Sequence, residues 1–211
     1  MTASTSPQHL DIHDHIEQLV EHHTHREPYT HRNGTQLAIF THLTMVPPLI
    51  DQLDDNTATS AKGDVGGSSG YSSRPAASIE AIDTLMFIDD EAARWVRKLG
   101  EDDPGDTKAC IRRVHALHAS QDAATKTDIE RAVKRWWSQA RITSGWDSPA
   151  WRPDNTCPVC EVRRSLRIKL ADSMGYCVEC RALWSTEEIG LLADWIRLEN
   201  AEDEQAPGEA S

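Results

Sequence analysis

The stretch CPVCEVRRSLRIKLADSMGYCVEC, residues 157–180, decides how the C-terminal part of this chain folds. It holds two C-x-x-C units, Cys157 with Cys160 and Cys177 with Cys180, separated by sixteen residues. That separation falls within the roughly 15–20 residues of the paired C-x-x-C zinc pattern. Each unit makes a tight knuckle that aims two sulfurs at one point. The residues between can run out and back as a hairpin, with a strand predicted over 165–170 and a return over 174–177. Four thiolates then surround one Zn²⁺ at about 2.3 Å, and no coordination position is left for water, so the ion is predicted to be structural. So small a module has little core of its own, and the metal decides whether it folds. An iron–sulfur cluster or a redox dithiol pair is the competing use of the same residues.

Reading outward toward the C-terminus, Ser185 and Glu188 have the spacing of a capping box. They predict a helix through Ile189, Leu192, Trp195, Ile196 and Leu198, followed by an acidic tail over 201–211. Toward the N-terminus, Ser78 is a fitting N-cap. Ile79, Ile82, Leu85, Met86, Ile88, Ala92, Trp95, Val96 and Leu99 then give one apolar face that ends at Gly100. A second helix is predicted from Thr107 to Ser120. A third is predicted from a Thr127/Glu130 capping box through Ile129, Val133, Trp136 and Trp137 to near Gly145. Three amphipathic helices of this length make a small bundle. The loop before the third helix is longer than the turn of a helix-turn-helix.

Residues 54–77, with Gly63, Gly66, Gly67, Gly70 and several Ser, read as a linker. Before it, a short helix is predicted over 10–21. A β-hairpin follows over 28–45 around Asn33-Gly34, and a short helix over 49–53 after Pro47 and Pro48. The predicted fold class is mainly α with small β elements. Its parts are a helix-plus-hairpin segment (1–53), a linker (54–77), a helical bundle (78–150), a zinc ribbon with a C-terminal helix (151–200) and an acidic tail (201–211).

The formal charge is −12, from 34 acidic and 22 basic residues, which argues against coating nucleic acid by bulk electrostatics. The charge is uneven, however. From Lys126 to Lys169 there are ten basic and five acidic residues, a local excess of +5. Arg163, Arg164, Arg167 and Lys169 on the ribbon, with Lys134 and Arg135 on the third helix, are the candidate phosphate contacts. Internal pairing with acidic helices is the alternative use of that charge. There is no signal-peptide pattern and no apolar run of the ~18–20 residues a membrane span needs. A cytoplasmic location without membrane association is the expectation.

Cys110, apart from the other four, reads as a small buried apolar residue. Eight of the ten histidines precede residue 43. His9 and His13, four apart, would share one face of a helix and could form a two-point metal site. No H-E-x-x-H or comparable catalytic motif accompanies them.

Several stretches in order carry a family resemblance: THREPY (24–29), VPPLI (46–50), the Gly/Ser run ending Ser73-Arg74-Pro75, AIDTL (81–85), then CPVC and CVEC. Together they resemble an uncharacterised family common in actinobacteria and their phages. The resemblance spans about residues 8–200 and implies a small zinc-ribbon protein of phage or prophage type, with the four cysteines as its binding residues. The dense N-terminal histidines depart from that pattern. The expectation is a non-enzymatic protein that binds DNA or regulates. The alternative is an adaptor for a host or phage protein, built on acidic helices and a zinc-stabilised ribbon.

Overall fold

The computed structural model describes residues 10–33, 36–57, 78–144 and 149–205. Element order is α1 (Ile12–Val20), β1 (His23–Asn33), β2 (Gln36–Val46), α2 (Leu49–Thr57), α3 (Ile79–Lys98), α4 (Thr107–His118), α5 (Ala123–Ser144), β3 (Leu166–Lys169), β4 (Met174–Cys177), β5 (Leu183–Trp184) and α6 (Ile189–Gln205). A 3₁₀ turn, Leu170–Asp172, joins β3 to β4.

Helix ends follow their caps. The Asp11 carboxylate accepts from the Asp14 amide, and Asp14 returns the bond, which starts α1. Ser78 caps α3 as predicted, and Gly100 behind it sits at φ +86°, where a side chain would be strained. The third bundle helix begins earlier than its Thr127/Glu130 spacing implies. Asp122 caps α5 by accepting from the amides of Ala124 and Thr125, each at 3.0 Å. Thr127 lies one turn inside and donates to the Ala123 carbonyl.

The bundle has five helices rather than three. Ile16, Leu19 and Val20 of α1 and Leu49, Ile50 and Leu53 of α2 share one core with Ile88, Val96, Ile111, Val114, Ile129, Val133 and Trp136. Trp136 is fully buried and donates to Glu91 at 2.7 Å, while the partly buried Trp137 donates to Gln18 of α1 at 2.8 Å.

The hairpin is longer than predicted. β1 and β2 pair antiparallel from His23↔Val46 to Asn33↔Gln36. Gly34 of the predicted turn and Thr35 after it lie outside the described residues, as do most of the linker, residues 58–77, and the end of the tail, 206–211. The second sheet, in the order β3-β4-β5, matches the strands expected between the cysteine pairs and adds Leu183–Trp184. It rests on the end of α5, where Ile142, Met174 and Tyr176 form a buried cluster and the Thr143 hydroxyl lies 2.8 Å from that of Tyr176.

An ion pair clamps the same joint. Arg167, on β3, meets both carboxylate oxygens of Glu80 at the start of α3, with Nε at 2.9 and 3.0 Å. Arg167 also donates to the carbonyls of Arg164 and Leu166. Burial alone would raise the Glu80 carboxyl. The hydrogen bond and charge of Arg167, with Arg152 behind, outweigh it and hold the group below its ordinary 4.5. The pair therefore adds stability that is complete above pH 4.5 and lost as pH falls through the lowered value. Glu80→Gln is expected to cost about 2–4 kcal/mol, since it leaves a buried guanidinium without its counter-charge. Urea denaturation at pH 7 followed by tryptophan fluorescence measures this, and the loss should shrink toward pH 3.

Candidate metal centre

The two cysteine pairs are built as near-copies of each other. In the first knuckle the Glu161 amide donates to the Cys157 carbonyl at 2.9 Å, and the Cys157 amide donates to Val162 at 3.1 Å. In the second the Arg181 amide donates to Cys177 at 3.0 Å, and the Cys177 amide donates to Ala182 at 3.0 Å. The residue after each second cysteine is left-handed, Glu161 at φ 60° and Arg181 at φ 61°. Holding a side chain there costs on the order of 1 kcal/mol, and the closed knuckle enforces it.

These turns, set opposite each other by the β3–β4 hairpin, bring all four sulfurs within 4.8 Å of one another. Cys157 and Cys180 are 3.8 Å apart, and Cys160 and Cys177 are 3.6 Å apart. A tetrahedron with metal–sulfur bonds of about 2.3 Å has edges of about 3.8 Å, so the set fits one ion. The spacing is far too long for disulfides, and all five cysteines are free thiols.

The surroundings favour thiolate at one ligand in particular. Burial pushes the Cys177 thiol up, but the Ser165 hydroxyl and the amides of Cys180 and Glu179 outweigh it and bring it down to about 7. Burial, with the neighbouring sulfurs, pushes Cys180 up to about 12. A bound cation lowers such thiols by its own charge. Cys157 and Cys177 are fully buried among Leu166, Ile168, Trp184, Leu192 and Ile196, whereas Cys160 is half-buried and Cys180 exposed. Gly175 lets α6 approach the sheet. A Cβ there would lie 3.2 Å from Leu192 and 3.3 Å from the Arg167 carbonyl. The Ser185–Glu188 pair forms half of its expected box, with the Ser185 amide donating to the Glu188 carboxylate at 3.2 Å.

The six predicted phosphate contacts do not form one surface. Arg167 and Lys169 are inside the protein, 9% and 0% exposed, because β3 is covered along its whole length. Arg135 pairs with Glu91 of α3, and the Lys134 ammonium lies 4.0 Å from Glu187. Arg163 and Arg164 are exposed and share the single carboxylate of Asp154. Position in sequence revealed their charge but not Glu80, which is 87 residues away from Arg167.

Cys110 is buried as expected, 3.4 Å from Asp103, and burial with that carboxylate pushes its thiol up to about 11. His9 lies outside the described residues. His13 instead stacks on His115 of α4, with ring centres 5.4 Å apart. Among the described residues, the four cysteines are the one group of three or more potential ligands that converges. Among those residues too, no helix is long and apolar enough to cross a membrane.

The class so defined is a mainly helical protein carrying a four-cysteine centre suited to a metal ion. The chain belongs to the family described as Domain of unknown function (DUF7341), whose model matches residues 5–143. The match thus covers the hairpin and nearly all of the five-helix bundle and stops before the four knuckle cysteines. No curated protein and no solved structure matches the chain.

Purified protein is expected to carry one metal ion per chain, which elemental analysis would identify. Cys160→Ser and Cys177→Ser should each lower metal affinity at least tenfold, and affinity should fall with falling pH because protons compete for the thiolates. Stripping the metal with a chelator should erase the near-ultraviolet signal of Trp184 and Tyr176. Most far-ultraviolet helical signal should persist, since α1 to α5 have their own core.

Proposed function

We propose that this is a non-enzymatic adaptor of the cytoplasm, in which a structural zinc ion holds α6 in place to bind a partner protein. The observation that carries the reading is the outer face of α6. Leu191, Trp195 and Leu198 fall at i, i+4 and i+7, and they are 70%, 38% and 62% exposed. The opposite face, Ile189, Leu192 and Ile196, is packed on the cysteine ribbon. A helix apolar on both sides has one side waiting for a partner.

The ribbon fixes this stripe. Trp195 donates to the Thr156 carbonyl at 3.0 Å, and Glu199 accepts from the Thr156 amide and hydroxyl, one residue before the first ligand. Glu188, Asp194 and Glu202 are exposed beside it. The matching partner is a helix with an apolar stripe between basic residues. Four thiolates around zinc leave no position for a substrate, which supports the non-enzymatic reading.

The second reading is DNA binding. It rests on Arg163 and Arg164, two exposed cations on one carboxylate. The other candidate cations are buried or lie beside carboxylates, and the overall charge is −12, so the adaptor reading is preferred.

The test uses the zinc-loaded full chain, a fluorescein-labelled Leu/Lys amphipathic helical peptide and its Leu/Glu analogue. The Lys peptide should bind and the Glu peptide should not. Leu191→Asp with Leu198→Asp should weaken binding at least tenfold, while Asp102→Asn with Asp103→Asn leaves it unchanged. Equal loss in both variants would reduce the effect to bulk charge and sink the reading. In parallel, steeply salt-dependent binding of duplex DNA, abolished by Arg163→Glu with Arg164→Glu, would favour the second reading.

A further inference from the structure

The β1–β2 ribbon has eleven residues in each strand, and among the described residues no third strand is hydrogen-bonded to it. A two-stranded ribbon of that length is marginal by itself in water. Its two outer edges differ. β1 carries Arg26, Glu27 and Arg32 and has Pro28 at its centre, the usual devices that protect an edge from further pairing. β2, from Gln36 to Val46, contains no Asp, Glu, Lys, Arg or Pro. At the base of the ribbon its Leu43 and Met45 are 61% and 66% exposed.

The register says which main-chain groups on β2 are open. Pro28 faces Thr41. A proline cannot donate to a ladder, so its nitrogen faces away from the partner strand, and Pro28/Thr41 is a pair that exchanges no hydrogen bonds. The N–H and C=O of Thr41 therefore point outward, and with a period of two so do those of positions 37, 39, 43 and 45. These five positions read Leu37, Ile39, Thr41, Leu43 and Met45. The sequence is apolar, apolar, Thr, apolar, apolar, and it is symmetric about Thr41.

We propose that β2 is a dimerisation edge that pairs antiparallel with β2 of a second copy of this chain, centred on Thr41. The product is a four-stranded sheet in the order β1-β2-β2-β1. A two-fold axis through Thr41 sets position 37 opposite position 45 and position 39 opposite position 43, so every outward main-chain pair of one strand meets one of the other. The five positions of each copy give and receive about ten main-chain hydrogen bonds in all. The symmetry of the pattern is what selects a second copy over an unrelated strand, because a two-fold interface must complement itself. The absence of charge along β2 removes repulsion at the edge although each chain is strongly acidic.

The proposal goes beyond the adaptor reading and is independent of α6. Sedimentation velocity over a concentration series, on the zinc-loaded full chain, tests it. The wild type is expected to be dimeric. Thr41→Pro deletes the central outward donor without touching the ladder to β1, and should weaken self-association at least tenfold. Leu43→Lys should weaken it in the same direction. Thr30→Pro, which removes an outward donor from the β1 edge, should leave the dimer intact. Zinc content and the thermal melting of helical signal, unchanged in all three variants, establish that each is folded. A wild type that stays monomeric at every concentration would overturn the proposal. So would a Thr41→Pro variant as dimeric as the wild type, or equal dissociation by Thr41→Pro and Thr30→Pro.

Discussion

Four sulfurs held within 4.8 Å of one another are the constraint on which the C-terminal part of the protein depends. The strands around them are four, four and two residues long, far too short to hold together by pairing alone. The buried cluster beneath is small and counts Cys157 and Cys177 among its members. Left unligated, the site would crowd four thiols in which burial pushes Cys157 and Cys180 up, while amide and hydroxyl neighbours draw Cys177 down. An ion that takes all four charges turns this crowding into the strongest set of bonds in the region. The left-handed residues Glu161 and Arg181 are bearable for the same reason, because the strain at each turn is small beside the bonds it permits.

From that centre, order passes in two directions. Through Leu192 and Ile196 it reaches α6, which would otherwise be an acidic helix with little to pack on. Through Arg167 and Tyr176 it reaches the bundle, by way of Glu80 on α3 and Thr143 on α5. Part of the positive charge of this segment, at Arg141, Arg167 and Lys169, lies inside the molecule, where Arg167 seats one folding unit on another. An overall charge of −12 and a basic middle are thus compatible with a surface that offers little cation to a phosphate chain.

Elements whose signals are local were legible in the sequence. Ser78 and Gly100 bracket α3 because a cap and a left-handed stop act on their own neighbours. The cysteine spacing foretold both the hairpin between the knuckles and the convergence of the ligands. The start of α5 was misread because Thr127 and Glu130 satisfy a capping pattern that Asp122 realises first, and a helix starts at its earliest adequate cap. Burial was the least legible property. Lys169 and Arg167 read as surface charge, yet one is fully enclosed and the other is held by a carboxylate supplied from far up the chain. In the same way α1 and α2 looked like a separate segment, because nothing in their own residues says that they share a core with α4 and α5.

The knuckles also give the metal centre an inside and an outside. Cys157 and Cys177 are sealed in the core, whereas Cys160 is half-covered and Cys180 faces solvent. Ligand exchange at such a centre is directional. A competing thiol or an oxidant would meet Cys180 before it could reach the buried pair. The lifetime of an ion bound there would depend on how often the exposed sulfur of Cys180 swings free, as well as on equilibrium affinity.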